Sequence, residues 1–284
     1  MNRFAAVVLG ISLAAAVPAA SAQEAGQVRH RLAWAAGELV LEASRALDPG
    51  TASIVRAKSD AQADLESRIS SLLLAALEAV PLDSSHTVGE LAADDPAYFD
   101  GLHRLARAAR PEAVYLSADL ARLTLRWIFP LFGERGITGS LLPPREAAMR
   151  RPLGSTASRA FTGLVIHAQG PLPAVGTGSN AVLAPALFPR IWDENMDLVL
   201  EKGQVRAAAL SRWGMVGYLD RLDEEAIRER AGADPLRVAA RAVFGRLPVD
   251  VVIPVAAARQ LLSVARNVEA LREGRICIVC DRLE

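Results

Sequence analysis

Two cysteines, Cys277 and Cys280 in "GRICIVCD" (residues 274–281), are the side chains of this sequence best suited to chemistry, and it has no others of their kind. A Cys-x-x-Cys pair exchanges disulfides when its first thiol sits at a helix N-terminus, where the helix dipole lowers the thiol pKa. Here the pair instead follows the helical pattern "ARNVEALREG" and its stop at Gly274, inside the run Ile276-Cys277-Ile278-Val279-Cys280. That run reads as a strand, on which residues i and i+3 point to opposite faces. Their Cβ vectors then diverge, which disulfide geometry does not tolerate. Two small, apolar, buried side chains in a closing strand are therefore expected, rather than a redox centre or a metal clip.

The other candidates fail in similar ways. "DENMD" at 193–197 places Asp193, Asn195 and Asp197 at alternate positions, as a calcium loop begins, but Leu198 stands where the loop needs glycine and Gln204 where it needs a bidentate glutamate. Acids and amides at a hairpin tip are ordinary turn residues. His30, His86, His103 and His167 are scattered, with no H-E-x-x-H spacing. Ser84 and Ser85 beside His86 are neighbours in sequence, which is not the geometry of a triad, and no G-x-S-x-G elbow occurs. "VGTGSNA" (175–181) matches neither the dinucleotide fingerprint nor the phosphate loop and reads as a connection between strands. The arginines of "PREAAMRR" read as solvated charges, and Trp34, Trp127, Trp192 and Trp213 as local packing anchors. No catalytic residue, cofactor site or metal ligand is assigned from the sequence.

The elements that would carry these residues begin after an export signal. Arg3, an apolar run from Phe4 to Val17, Pro18 and the triplet Ala20-Ser21-Ala22 form a secretory signal peptide over residues 1–22, cleaved after Ala22. The expected location is the periplasm, and nothing later in the chain is apolar for long enough to span a membrane. Lys+Arg and Asp+Glu both number 32, so no nucleic-acid surface is expected. Two cysteines are too few for a disulfide framework, and a mature chain of about 260 residues has room for two domains.

Residues 23–137 read as an α+β domain. Glu38–Glu42 alternate as a half-buried strand, and from Ala52 to Val80 the apolar residues Ala57, Ala61, Leu65, Ile69, Leu72, Ala76 and Leu77 recur at helical spacing. The residues before Arg31 read as a polar leader, and residues 87–95 as a loop before a helix over 96–109. Two extended segments flank Ser117–Asp119. Residues 138–159 read as a linker. Residues 160–284 read as a mixed domain: "FTGLVIHA" is a strand, "LFPRIWD" and "DLVLEK" form a hairpin, and "WGMVGYL" is extended. "DEEAIRERAG" is a helix, "DPLRVAARAVFG" one strand, "VDVVIPVAAARQLLSV" a strand entering a helix, and "RICIVC" the last strand. The expected class is α+β, each domain a largely antiparallel sheet packed with helices.

Taken in this order, "LAW..GELVLE", "RAKSDAQADLESRI", "LDSSHTVGEL" and "PLFGERGI" resemble the N-terminal domain of a family of small envelope lipoproteins and flagellar-assembly proteins. "FTGLVIHAQG", "PALFPRIWDENMDLVLEK", "WGMVGY" and "LREGRICIVCD" are similar to exported spirochaete proteins that carry both halves. The resemblance implies a non-enzymatic periplasmic or cell-envelope protein with protein partners, structural or assembly-related and associated with the flagellum in some members. It brings no catalytic residues, and the chain departs from lipoprotein relatives in having no cysteine at the cleavage site. The alternative from the residues is a periplasmic small-ligand or polysaccharide-binding protein, or a hydrolase whose site is assembled from distant positions.

Overall fold

The computed structural model describes residues 27–281 and 283, except 49, 52, 143–144 and 150–157. The expected signal peptide, and part of the expected linker, lie outside the described residues.

The first unit runs β1 (Val28–Ala33), β2 (Glu38–Ala46), α1 (Ile54–Ser67), α2 (Ile69–Leu77), α3 (Val88–Asp94), α4 (Pro96–Ala108), β3 (Ala113–Leu116) and β4 (Arg122–Pro130). Its sheet is antiparallel throughout, in the order β1-β2-β4-β3. Alternation places Leu39, Leu41 and Ala43 of β2 opposite Phe129, Trp127 and Leu125 of β4, all buried. α1 and α2 bring Ala57, Ala61, Leu65, Ile69, Leu72, Ala76 and Leu77 into the same core. On the outer face, Ser44 and Thr124 hydroxyls meet across the strands at 2.9 Å.

Three readings of this unit need correction. The single helix expected over 52–80 breaks at Arg68 (φ −94°, ψ −2°), where the Ser67 and Ser71 hydroxyls donate to the Asp64 and Arg68 carbonyls and compete with the helical ladder. The apolar stripe runs through the break, so periodicity alone does not reveal it. The supposed polar leader is strand β1, an edge strand whose Arg29, His30 and Arg31 are exposed, so it carries no apolar alternation. The supposed loop at 87–95 contains α3, started by a capping box in which Thr87 Oγ1 accepts from the Glu90 amide (3.1 Å) and the Glu90 carboxylate accepts from the Thr87 amide (2.8 Å). Asp95 then caps α4, with Pro96 at its first position.

The second unit runs β5 (Leu164–His167), β6 (Leu172–Pro173), β7 (Asn180–Ala181), β8 (Ile191–Asp193), β9 (Leu198–Leu200), α5 (Ala207–Trp213), β10 (Gly217–Leu219), α6 (Glu224–Ala231), β11 (Leu236–Ala239), β12 (Ala242–Phe244), β13 (Asp250–Ile253), α7 (Val255–Ser263), α8 (Ala265–Arg272) and β14 (Ile276–Val279). The α+β class is the one observed, and most pairing in the chain is antiparallel. One sheet departs: β10-β14-β5-β11 is parallel throughout. Its central strands, "LVIH" and "ICIV", are apolar runs covered on both faces, as parallel strands are, so they show no alternation from which to read a direction. A second sheet, β12-β13-β8-β9, is mixed, and includes the expected β8–β9 hairpin. The one strand expected in "DPLRVAARAVFG" is two, β11 and β12, which belong to different sheets and separate at Ala240–Arg241.

The two units share one continuous apolar core. The loop after α2 lies along the second unit: the amides of Leu187, Phe188 and Leu247 donate to the carbonyls of Pro81, Leu82 and Ser84, at 3.1, 2.8 and 3.0 Å. Trp34 meets Tyr218 edge to face at 5.6 Å. Arg246 reaches Glu90 and the Ser85 carbonyl. Of the expected linker, Thr138 is buried and donates to the Leu131 carbonyl, and Glu146 pairs with Arg272.

Candidate functional site

The residues singled out by type go to separate places. Cys277 and Cys280 lie on opposite sides of β14 and its exit. Cys277 sits in a small cluster with Val165, Ile227, Ala231 and Val279, and Cys280 in the main core. The Cys277 thiol is in no disulfide, and burial pushes its pKa up to about 11, against the pull of Arg230 and Arg237. That is the opposite of an activated thiol. Asp193 is buried, and its Oδ1 accepts from the amides of Asn195 and Asp197, both at 2.9 Å. Its carboxylate therefore closes the hairpin, and Met196 at the tip takes φ +63°. Among the described residues no three His, Cys, Asp or Glu side chains are grouped so as to hold a metal ion.

His30 lies on β1, His103 on α4 and His167 on β5. His86 is exposed and faces Asp83, with Nδ1 3.2 Å from Oδ1. The Ser84 hydroxyl turns away from it to a different carboxylate, so the Ser84–Ser85–His86 triplet is split. The 175–181 loop joins β6 to β7, with Gly176 and Gly178 at positive φ and the Thr177 and Ser179 hydroxyls bonded to each other at 2.8 Å.

The carboxylate that Ser84 meets is Asp250, fully buried at the start of β13. It accepts from the Arg190 amide (2.9 Å) and from Trp192 Nε1 (3.0 Å), as well as from Ser84 across the seam. Burial raises its pKa, and those three bonds oppose the rise. The bonds it accepts come from main chain, indole and hydroxyl, and the one from Ser84 ties the loop after α2 to β13. The signal in the sequence was a lone aspartate opening the apolar run "DVVIPV", which alternation does not flag.

A second, half-buried group, Arg230 on α6, donates to the carbonyls of Gly274 (2.7 Å), Trp213 (2.7 Å) and Gly214 (3.0 Å). Its guanidinium and that of Arg212 each lie 4.5 Å from the Trp213 ring centre. Burial lowers the Arg230 pKa to about 10. This arrangement ties the end of α5 to the turn before β14.

Surfaces able to receive a partner or ligand lie elsewhere. The first sheet has two edges of opposite character. β1 shows Arg29, His30 and Arg31 to solvent, and the two arginine charges discourage pairing. β3, "AVYL", carries no charge, and Tyr115 is 49% exposed, with Val114, Leu116 and the turn residue Leu120 also exposed. The Ser117 amide donates to the Arg122 carbonyl, and pairing continues as Tyr115↔Thr124 and Ala113↔Arg126. The odd residues of β3 therefore bond β4, and the main-chain groups of Val114 and Leu116 point outward. Among the described residues no strand lies beside them.

A cleft of about 660 Å³ lies at the seam, by the C-terminal ends of β10 and β14, where open parallel sheets commonly hold ligands. Arg31, Trp34, Asp220, Arg221, Asp223 and Asp281 line it. Two of its carboxylates are already engaged: Asp223 caps α6, and Asp281 accepts from the Gly170 amide at 2.5 Å. Two smaller clefts flank α4.

Comparison with known proteins places both halves. Residues 25–134 match the family described as Treponema pallidum Tp0624, N-terminal domain, and residues 163–282 match that described as Treponema pallidum Tp0624, second domain. Each half of the chain is thus similar to one domain of a spirochaete protein family, and the two matches lie in series. A search of the curated proteins gives no match. No helix among the described residues is long and apolar enough to cross a membrane.

Proposed function

We propose that this pair of Tp0624-type domains is a non-enzymatic component of the cell envelope, exported to the periplasm by residues 1–22, and that it docks onto an assembly through the free edge of β3. The uncharged, exposed β3 edge supports the reading best, because outward N–H and C=O groups flanked by apolar side chains are what an added strand needs. The occupant would be an extended, apolar-rich segment of an envelope protein. The likeness of the N-terminal motifs to flagellar-assembly proteins makes basal-body components the first to score.

The test is crosslinking and capture from envelope extracts, with wild type beside Val114→Pro. Proline removes the outward N–H of Val114 but not the bonds that hold β3 to β4, and an edge strand tolerates it. Wild type should enrich envelope components over a control periplasmic protein, and the variant, with an unchanged circular dichroism spectrum, should not. Equal capture by both would sink the reading. The seam cleft favours a second reading, a small-ligand or polysaccharide-binding protein, because it joins arginines and carboxylates at the strand ends. Saturable binding of a sugar or amino acid, lost in Arg221→Ala, would support that instead.

A further inference from the structure

The geometry points to a lipid site on the first unit: the groove beside α4 takes the acyl chain of an amphiphile whose anionic head meets the arginines on its rim. The groove arises from a mismatch in strand length. β3 pairs with β4 only over Leu123–Arg126, while β4 continues to Pro130. α4 stands over the strandless stretch, leaving a cleft of about 610 Å³ between Leu102 and Leu105 on the helix, Ile128 and Phe129 on the strand, and Ile137 beyond it. Leu102, Phe129 and Ile137 are buried, so the floor is apolar. On the other side of α4 a second cleft of about 570 Å³ opens against α2 and Trp127. Ala109 belongs to both linings, so the two clefts approach each other at the end of the helix.

The rim supplies the charge argument. Arg104 and Arg135 border the first cleft, and Arg107 and Arg110 the second. Some arginines elsewhere hold carboxylates, such as Arg45 with Asp64, Arg126 with Glu112, Arg246 with Glu90 and Arg272 with Glu146, while others, such as Arg29, Arg122 and Arg221, have no ion pair among the described residues. Among the described residues none of the four rim arginines has such a partner, and the nearest thing to one, for Arg110, is its neighbour's carbonyl at 3.4 Å. The linings contribute two carboxylates, Glu134 and Glu66, and Glu66 accepts from Gln62. The balance is cationic. An apolar slot of this volume edged by planar guanidinium groups suits a ligand with a hydrocarbon tail and a carboxylate or phosphate head. A head without a tail leaves the floor unused, and a tail with a cationic head meets the repelling charges of Arg104 and Arg135.

The test uses the full mature chain and soluble single-chain probes below their micelle concentrations, titrated by calorimetry. Dodecyl phosphate should bind saturably at one site, while dodecyltrimethylammonium and inorganic phosphate should not. Each methylene added between octyl and dodecyl phosphate should tighten binding by up to about fourfold, the gain from burying one CH₂. Arg104→Glu with Arg135→Glu, both exposed and so harmless to folding, should weaken dodecyl phosphate at least tenfold. Leu105→Trp, filling the slot, should weaken it without touching a charge. Dodecanoate binding as tightly as dodecyl phosphate identifies a free fatty acid as a fitting ligand, and weaker dodecanoate binding points to a phosphate head. Equal binding of anionic and cationic probes, an unchanged affinity in the charge-reversed variant, or binding to phosphatidylglycerol vesicles with none to the monomeric probes would each overturn the proposal.

Discussion

Gly214→Ala is the sharpest test of how the two units are fixed together. Gly214 ends α5 with φ +77° and ψ −178°, a conformation that only glycine adopts readily, and its carbonyl accepts from Arg230. A Cβ there would lie 2.5 Å from Cε1 and Cζ of Phe132, a residue of the first unit. Two costs add: about 1–3 kcal/mol for a non-glycine residue in this backbone region, and about 1–3 kcal/mol for displacing a packed ring. The expected loss is therefore about 2–6 kcal/mol. Phe132→Ala in the same chain separates the two, because it removes the ring and leaves the backbone cost. The double variant should then be more stable than the sum of the singles predicts, by about 1–3 kcal/mol. Urea unfolding followed by far-ultraviolet circular dichroism and tryptophan fluorescence measures all four chains. With a shared core, both signals should report one transition. Gly214→Ala within about 0.5 kcal/mol of wild type, or strict additivity in the double variant, would refute the reasoning.

The other expectations concern buried and half-buried polar groups. Asp250→Ala strands the Trp192 indole N–H, the Arg190 amide and the Ser84 hydroxyl, and should cost about 2–4 kcal/mol by urea unfolding. Because burial raises the folded pKa of Asp250 above 3.8, the native state holds this proton more tightly than the unfolded chain does. The associated stability is complete below pH 3.8 and is lost as pH climbs through the raised value. Against the non-titrating Asp250→Asn, the wild-type urea midpoint should fall over that window, and a rise would contradict the assignment. Arg230→Met leaves three carbonyls without their donor and should cost about 2–4 kcal/mol, with Arg230→Lys recovering little, because an ammonium lacks the fork that reaches all three. Cys277, with its thiol at about 11, should resist maleimide at pH 8 until the protein unfolds. Replacing both cysteines with alanine should cost on the order of 1 kcal/mol. A Cys277–Cys280 disulfide found by mass spectrometry in the native protein would overturn this account of β14.

Legibility in the sequence followed from whether an element has one wet and one dry face. β2, α1–α2 and α4 do, and their apolar positions at period two or near 3.6 marked both their type and their buried side. β1 has no dry side chain over Val28–Arg31, and β5 and β14 have no wet face, so alternation was silent about an edge strand and about a parallel sheet. α3 is only seven residues long, and its start was written in Thr87 and Glu90, a signal of spacing rather than of hydrophobicity. The binding surfaces were the least legible. A cleft under α4 depends on β4 outrunning β3, and the node at Asp250 joins residues more than 160 positions apart in the chain.

The two proposed binding surfaces sit on the same unit and on the same stretch of chain, since α4 leads through Ala109 and Arg110 directly into β3. The second unit contributes neither, yet it buries Asp250 against Ser84 and sets Gly214 under Phe132. A division of labour follows: the second unit fixes the loop after α2 and the segment after β4, the two segments that bracket α4, β3 and β4. Variants at the seam should therefore lower stability while leaving the affinity of the folded fraction unchanged. Variants at Val114, Arg104 or Arg135 should do the reverse, because their side chains project from the first unit's exposed rim. A seam variant that stays folded but loses partner or lipid binding would show instead that the units are coupled through the groove, with the position of α4 set by the second unit rather than by the sheet beneath it.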